Sequence, residues 1–181
     1  MRNKNLGFTL VELLVTIAIV ALLASLAVPS FRAMLVKRSA DSAADILVSD
    51  LRFARSEAVK RSNIVTVCAS SNGTSCFGTG GLWREGWIIF VDFDEDGNLE
   101  AADGDQIVRV QGALPSIASI AAADGTSQFN FRYQPTGWAK AATQTFIITP
   151  SGEIPAGSTR LICVSTNGRA GLRSRGTVSC T

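Results

Sequence analysis

The hydrophobic pattern changes twice along the chain. Residues 8–28 read FTLVELLVTIAIVALLASLAV, apolar on every side with one charge, Glu12. A helix of that length rises about 30 Å, the thickness of bilayer hydrocarbon. Further on, the apolar positions narrow to one stripe. Ala43, Leu47, Leu51, Ala54 and Ala58 recur at helical spacing, and Arg38, Asp41, Asp45, Arg52 and Arg55 take other faces. No Gly or Pro interrupts residues 30–62. The pattern predicts one helix over 8–62, on the order of 80 Å long. Pro29, mid-pattern, should kink or locally melt it. The first half has no soluble core to join, so it belongs in lipid or in a bundle of like helices.

After Asn63 the period shortens. Residues 64–68, 86–91, 106–110, 129–133, 145–149 and 160–164 are rich in β-branched and aromatic residues and separated by Gly/Asn/Asp/Ser clusters. They predict about six strands. One helix followed by a run of strands is an α+β arrangement, in which the helical stripe covers a sheet face.

Composition narrows the function. The 181 residues are 46% hydrophobic and 18% charged, which excludes a disordered chain. The sequence contains no histidine. That removes Ser-His-Asp and Cys-His catalysis, His-ligated zinc and histidine acid–base chemistry. With no nucleophile–base pair visible, the chain reads as a non-enzyme. The net charge of +2 hides segregation. Arg2 and Lys4 lie in the first seven residues; without that leader, fifteen bases face fifteen acids. Residues 92–108 hold seven acids and no base, and residues 151–181 hold four arginines and one acid, Glu153. Either run could simply be a solvated loop.

For the first apolar segment, composition leaves a secretory signal peptide open beside the membrane helix. Ala24-Ser25-Leu26-Ala27 has the small-x-small pattern of a cleavage site. The flanking residues go further. Lys4-Asn5-Leu6-Gly7-Phe8-Thr9-Leu10-Val11-Glu12 resembles the signal of type IV prepilins and type II secretion pseudopilins. That resemblance implies a cleaved leader over 1–7, a cut after Gly7 by a prepilin peptidase, and N-methylation of Phe8. Glu12 becomes the fifth residue of the mature chain. A carboxylate in hydrocarbon needs a partner, and the family implies the N-terminal amine of a neighbouring subunit.

The segment from Leu51 to Arg61, then Val65-Thr66-Val67-Cys68, Trp83, Gly86-Trp87-Ile88-Ile89-Phe90 and Asp92, resembles the GspH/FimT minor pilin domain. The resemblance implies a pilin-like α+β fold: a long N-terminal transmembrane and assembly helix, then a mainly antiparallel β-sheet domain over 63–181. It implies a minor type IV pilin that primes or caps a pilus at its tip. The alternative is a minor pseudopilin of a type II secretion system. Implied partners are other minor and major pilins, the prepilin peptidase and an inner-membrane assembly platform. The implied location is the inner membrane, with the globular domain periplasmic, and then the filament.

The four cysteines, Cys68, Cys76, Cys163 and Cys180, all follow the membrane segment. They permit three pairings. The 68–76 and 163–180 pairing is favoured, because each bond closes a local loop on the oxidising side of the membrane. A zinc site of all four is the alternative, weakened by the lack of CxxC spacing.

Two segments carry candidate chemistry. In residues 92–103, Asp92, Asp94 and Asp96 alternate before Gly97, and Asp103 falls at the twelfth position, as in a calcium loop. The preceding strand, and Asp where a bidentate Glu is usual, speak instead for a metal-free polar turn. In the tail, Arg169, Arg173 and Arg175 lie among Gly and Ser. Such arginines can clamp phosphates without reading sequence. The tail resembles the DNA-binding end of FimT pilins, marked by Gly-Arg-x-Arg. Gly168-Arg169-Ala170 fits, and Gly171 stands where the second arginine belongs. No aromatic residues interleave to stack bases. A DNA-binding role in natural transformation is thus a further alternative, beside a solvated tail or a contact to the next subunit.

Overall fold

A computed structural model of the chain describes residues 8–77, 82–122, 130–140, 144–173 and 180. It divides into two compact units, Met1–Leu35 and Val36–Thr181. The first helix, α1, is Leu10–Arg61. Eight strands follow: β1 (Ile64–Ala69), β2 (Trp87–Asp92), β3 (Gln106–Gln111), β4 (Ile117–Ala122), β5 (Asn130–Tyr133), β6 (Gln144–Pro150), β7 (Arg160–Val164) and β8 (Ala170–Leu172). The helix expected over 8–62 is therefore observed, and so are all six expected strands. Three elements differ from expectation. Pro29 lies inside an uninterrupted helix instead of melting it, since a single proline removes only one backbone donor. The strands β4 and β8 had no adequate signal. In β4 a register shift between Ile117 and Ser119 puts the buried residues Ile117 and Ile120 three apart instead of two. β8 is only three residues long and contains Gly171.

In the first unit, every large apolar side chain of residues 8–28 is exposed. In the second unit the helical stripe is buried as expected. Ala43, Leu47, Leu51, Ala54 and Ala58 are each at most 2% exposed. They share one core with residues of two antiparallel sheets, ordered β3-β2-β1-β5 and β4-β6-β7-β8. β6 alternates buried and half-buried positions, so Phe146 and Ile148 face the core. A short 3-10 turn, Trp83–Glu85, joins the two sheets through its aromatic ring. Trp83 stacks obliquely on Trp87, 6.4 Å between centroids, and meets Phe146 edge-on at 5.3 Å.

β1 and β2 are buried on both faces. Val65, Val67, Trp87, Ile89 and Val91 enter the main core. Cys68, Ile88 and Phe90 form a second, smaller cluster with Cys76 and Leu99. The loop between Cys68 and Cys76 and the acidic loop after β2 therefore both lean on the far face of the first sheet.

Polar side chains of the helix pin it to both sheets. Asp50 accepts from buried Trp87 Nε1 at 2.8 Å and from Arg109 Nη1 at 2.7 Å. The Arg109 guanidinium also lies 3.7 Å over the Phe53 ring. Arg52 donates to the Ala170 carbonyl, Arg55 to the Gly137 carbonyl, and Asp41 pairs with Arg160 at 3.0 Å.

Candidate functional site

Three places on the chain hold candidate function: the start of the helix, the acidic loop and the basic tail.

Thr9 precedes the first helical residue and acts as its cap. The Glu12 Oε2 accepts from the Thr9 amide and from the Thr9 hydroxyl, both at 2.9 Å, while the Glu12 amide donates to Thr9 Oγ1 at 3.2 Å. This Thr-x-x-Glu reciprocal arrangement is a capping box. It satisfies donors that every helix leaves open at its start. In the lone chain, then, Glu12 has a partner within its own helix, a role written in the spacing of Thr9-Leu10-Val11-Glu12. Phe8 is exposed beside this cap. Gly7 lies outside the described residues. A helix apolar all round with no protein core against it fits a membrane or a bundle of similar helices.

The acidic loop follows β2. Asp92, the last residue of that strand, is fully buried, and its Oδ2 accepts from Thr66 Oγ1 at 2.6 Å and from the Gly97 amide at 3.1 Å. Burial pushes the Asp92 carboxyl up. The Thr66 hydrogen bond opposes this, the charges of Asp105 and Asp94 add to it, and the Glu95 amide pulls weakly the other way. One carboxylate oxygen from each of Asp92, Asp94 and Asp96 lies within 4.8 Å of the others. Asp96 is held low by the Asn98 amide and then by the Asn98 side chain. Gly97, at φ +88°, packs so closely that a Cβ would come 2.6 Å from Asn130 Nδ2.

Asp103, expected at the loop's twelfth position, stands apart from the other three aspartates. It is not among the clustered carboxylates; it bonds to Glu100, which it pushes up by that hydrogen bond and by its charge. It sits, exposed, in a 3-10 turn, Ala101–Asp103. The loop is closed by Asp105 instead. Its two oxygens accept from the amides of Phe93 at 2.9 Å and Glu100 at 3.0 Å. On the outside, Lys140 pairs with the Glu95 carboxylate and Arg132 donates to the Glu95 carbonyl.

The tail belongs to the other sheet. β7 and β8 form a hairpin whose turn is tied by the Gly168 amide to the Ser165 carbonyl and by the Ser165 amide to the Arg169 carbonyl. Gly168 adopts φ +76°, and a Cβ there would stand 2.0 Å from the Gly137 carbonyl. A glycine is thus required before Arg169 by close backbone approach. Arg169, Gly171 and Arg173 alternate along the strand and so share a side of it. Arg169 and Arg173 are both exposed and line one cavity of about 440 Å³ with Cys163, Ser165 and Cys180. Arg175 lies outside the described residues. Cys68 is bonded to Cys76 and Cys163 to Cys180, each with Cα atoms 5.6 Å apart.

An apolar helix opening on a capped Thr-Leu-Val-Glu, continued into a helix packed on antiparallel sheets, defines the type IV pilin-like class. Residues 2–28 match the prokaryotic N-terminal methylation motif, and residues 43–168 match the family described as type II transport protein GspH. The chain belongs to this GspH/FimT family of pilin-like proteins. Two crystal forms of the type IV minor pilin FimU of Pseudomonas aeruginosa share its fold. The TM-scores are 0.60 and 0.57, at 18% and 19% identity, over 80% and 78% of this chain and 95% and 98% of theirs. No curated protein matches the sequence. Membership implies a membrane-anchored subunit that assembles with other pilins, in a family of structural proteins.

Proposed function

We propose that this chain is a minor type IV pilin that primes or caps pilus assembly at the tip. The supporting observation is the helix start: a long exposed apolar segment whose only acid, Glu12, is placed by Thr9 one turn into the helix. The prepilin peptidase cuts after Gly7, and Phe8 becomes the methylated N-terminus. An inner-membrane platform then draws the helix out of the bilayer into a bundle. There Glu12 meets the amine of a neighbouring subunit, which supplies the opposite charge that the Thr9 hydrogen bonds do not. Until then the globular domain is periplasmic, where its two disulfides persist.

Sheared surface filaments from the native host should contain the protein, with an intact mass beginning at methylated Phe8. Its absence from filaments, or cleavage near Ala27, refutes the reading. Glu12→Ala and Glu12→Gln should both be processed yet incorporate poorly. Gln can still accept the Thr9 hydrogen bonds. Normal incorporation of Glu12→Gln alone would therefore assign Glu12 a capping role only.

The family's description as a type II transport protein favours a second reading, a minor pseudopilin of a secretion system. Failure to find the chain in surface pili, with a secretion defect on its deletion, would select it. A third role, DNA binding during uptake, is supported by Arg169 and Arg173 at one cavity. With Arg175, three phosphate contacts give a log–log salt slope of roughly −3 and micromolar or weaker affinity. Replacing all three with Ala should abolish a gel shift while leaving the domain folded. An unchanged shift would move the site elsewhere.

A further inference from the structure

We propose that the loop after β2 binds a hard divalent cation, with calcium the ion it fits, through the carboxylates of Asp92, Asp94 and Asp96. Two independent observations meet there. The first is the cluster itself: three carboxylate oxygens within 4.8 Å of one another. Like charges that close repel unless a cation or a proton intervenes. The second is an orphaned atom. Asp92 is 0% exposed, and its Oδ1 is buried with no hydrogen bond of ordinary geometry, the Glu95 amide acting on the carboxylate only weakly. A buried acceptor without a partner costs the desolvation of that group. Oδ2 has the Thr66 hydroxyl and the Gly97 amide, so the carboxylate is already oriented and only Oδ1 is left to supply.

The chemistry of the donors selects the ion. The cluster offers only carboxylate oxygens, with no thiolate or imidazole, which suits calcium and magnesium over the softer transition metals. Calcium takes six to eight oxygens in loose geometry, whereas magnesium demands a near-ideal octahedron. A loop with two exposed carboxylates and one buried anchor meets the first demand more readily. Two neighbouring cations make their hydrogen bonds to Glu95, Lys140 to its carboxylate and Arg132 to its carbonyl, and Arg132 reaches Asp96 only as the smallest influence on its carboxyl. The loop also packs Leu99 against Ile88 and Phe90. An ion at its head would therefore stiffen the cover of the first sheet. The proposal is independent of the role in pilus assembly.

The test is calorimetric titration of the full-length, disulfide-bonded protein in detergent micelles, stripped with chelator, using CaCl2 and separately MgCl2. The expected result is one calcium per chain, with a dissociation constant of about 10⁻⁵–10⁻³ M, and weaker magnesium binding. Asp94→Asn/Asp96→Asn changes two exposed side chains, and its near-UV circular dichroism should match the parent. Its calcium affinity should fall on the order of tenfold or more, since affinity follows ligand charge. If the double variant misfolds, Asp94→Asn alone should still weaken binding. Absence of saturable calcium binding up to about 10 mM, or equal affinity in a folded variant, overturns the proposal.

Discussion

Residues 10–35 and 36–61 belong to one α-helix, yet opposite rules govern their side chains. In the first stretch leucines, isoleucines and valines cover every face and are exposed; Leu13, Leu14, Ile17 and Leu22 are all more than half exposed. In the second, a stripe one or two residues wide is buried, and the remaining faces carry charge. The backbone conformation is the same, so the difference lies in what each surface requires. The first needs an apolar surrounding that the chain does not itself provide. The second finds one in its own sheets. It also finds polar partners there: Asp50, Arg52 and Arg55 each reach a strand or loop of the domain.

Truncating the two stretches alike should separate them most sharply. Leu47→Ala, at a fully buried position, should cost the domain about 2–5 kcal/mol. Leu14→Ala, 58% exposed, should move domain unfolding by less than about 0.5 kcal/mol. Chemical denaturation of both variants in the same detergent measures this. Equal losses would mean that the first stretch also stabilises the domain.

A smaller effect should follow at the polar pin. Asp50→Ala leaves the Trp87 indole donor buried without its acceptor. The expected loss is about 1–3 kcal/mol, with a change in tryptophan near-UV signal. No loss would show that the helix is held by its apolar stripe alone. At the other end, Thr9→Ala removes the cap and should cost about 0.5–2 kcal/mol of local helix stability. Amide exchange at residues 10–13 should accelerate while exchange in residues 43–58 stays unchanged.

The smallest effect concerns pH. The Arg61 hydrogen bond holds the Glu57 carboxyl below its ordinary 4.5, against the opposing effect of burial. A depressed folded value means stability that is complete above about pH 4.5 and lost as pH falls through the folded value. Because Arg61 is partly exposed, the contribution should stay below about 1 kcal/mol. Glu57→Gln should therefore be slightly less stable than the parent at neutral pH. The two should converge as pH falls through the depressed folded value. A gap that persists into acid would assign the role of Glu57 to packing.

Local chemistry was legible from the chain alone: the helix limits, the buried stripe, six strands and two disulfides that close short loops. Each is written in neighbouring residues, as a period of 3.6 or 2 or a short spacing. Even Asp50 and Glu57 left a trace, since both sit one turn from stripe residues, Leu47 and Ala54. Their partners were not legible. Trp87 and Arg109 lie far along the chain from Asp50, and nothing in a local period specifies a meeting across such distance. The same holds for the division of eight strands into two sheets, in which β1 takes β2 on one side and β5 on the other. The acidic loop shows the limit most clearly. Spacing placed Asp103 in the cluster. Only the tertiary structure closed the loop through Asp105, on the amides of Phe93 and Glu100, and buried Asp92 at the end of β2, because the fold of the loop depends on the sheet it covers.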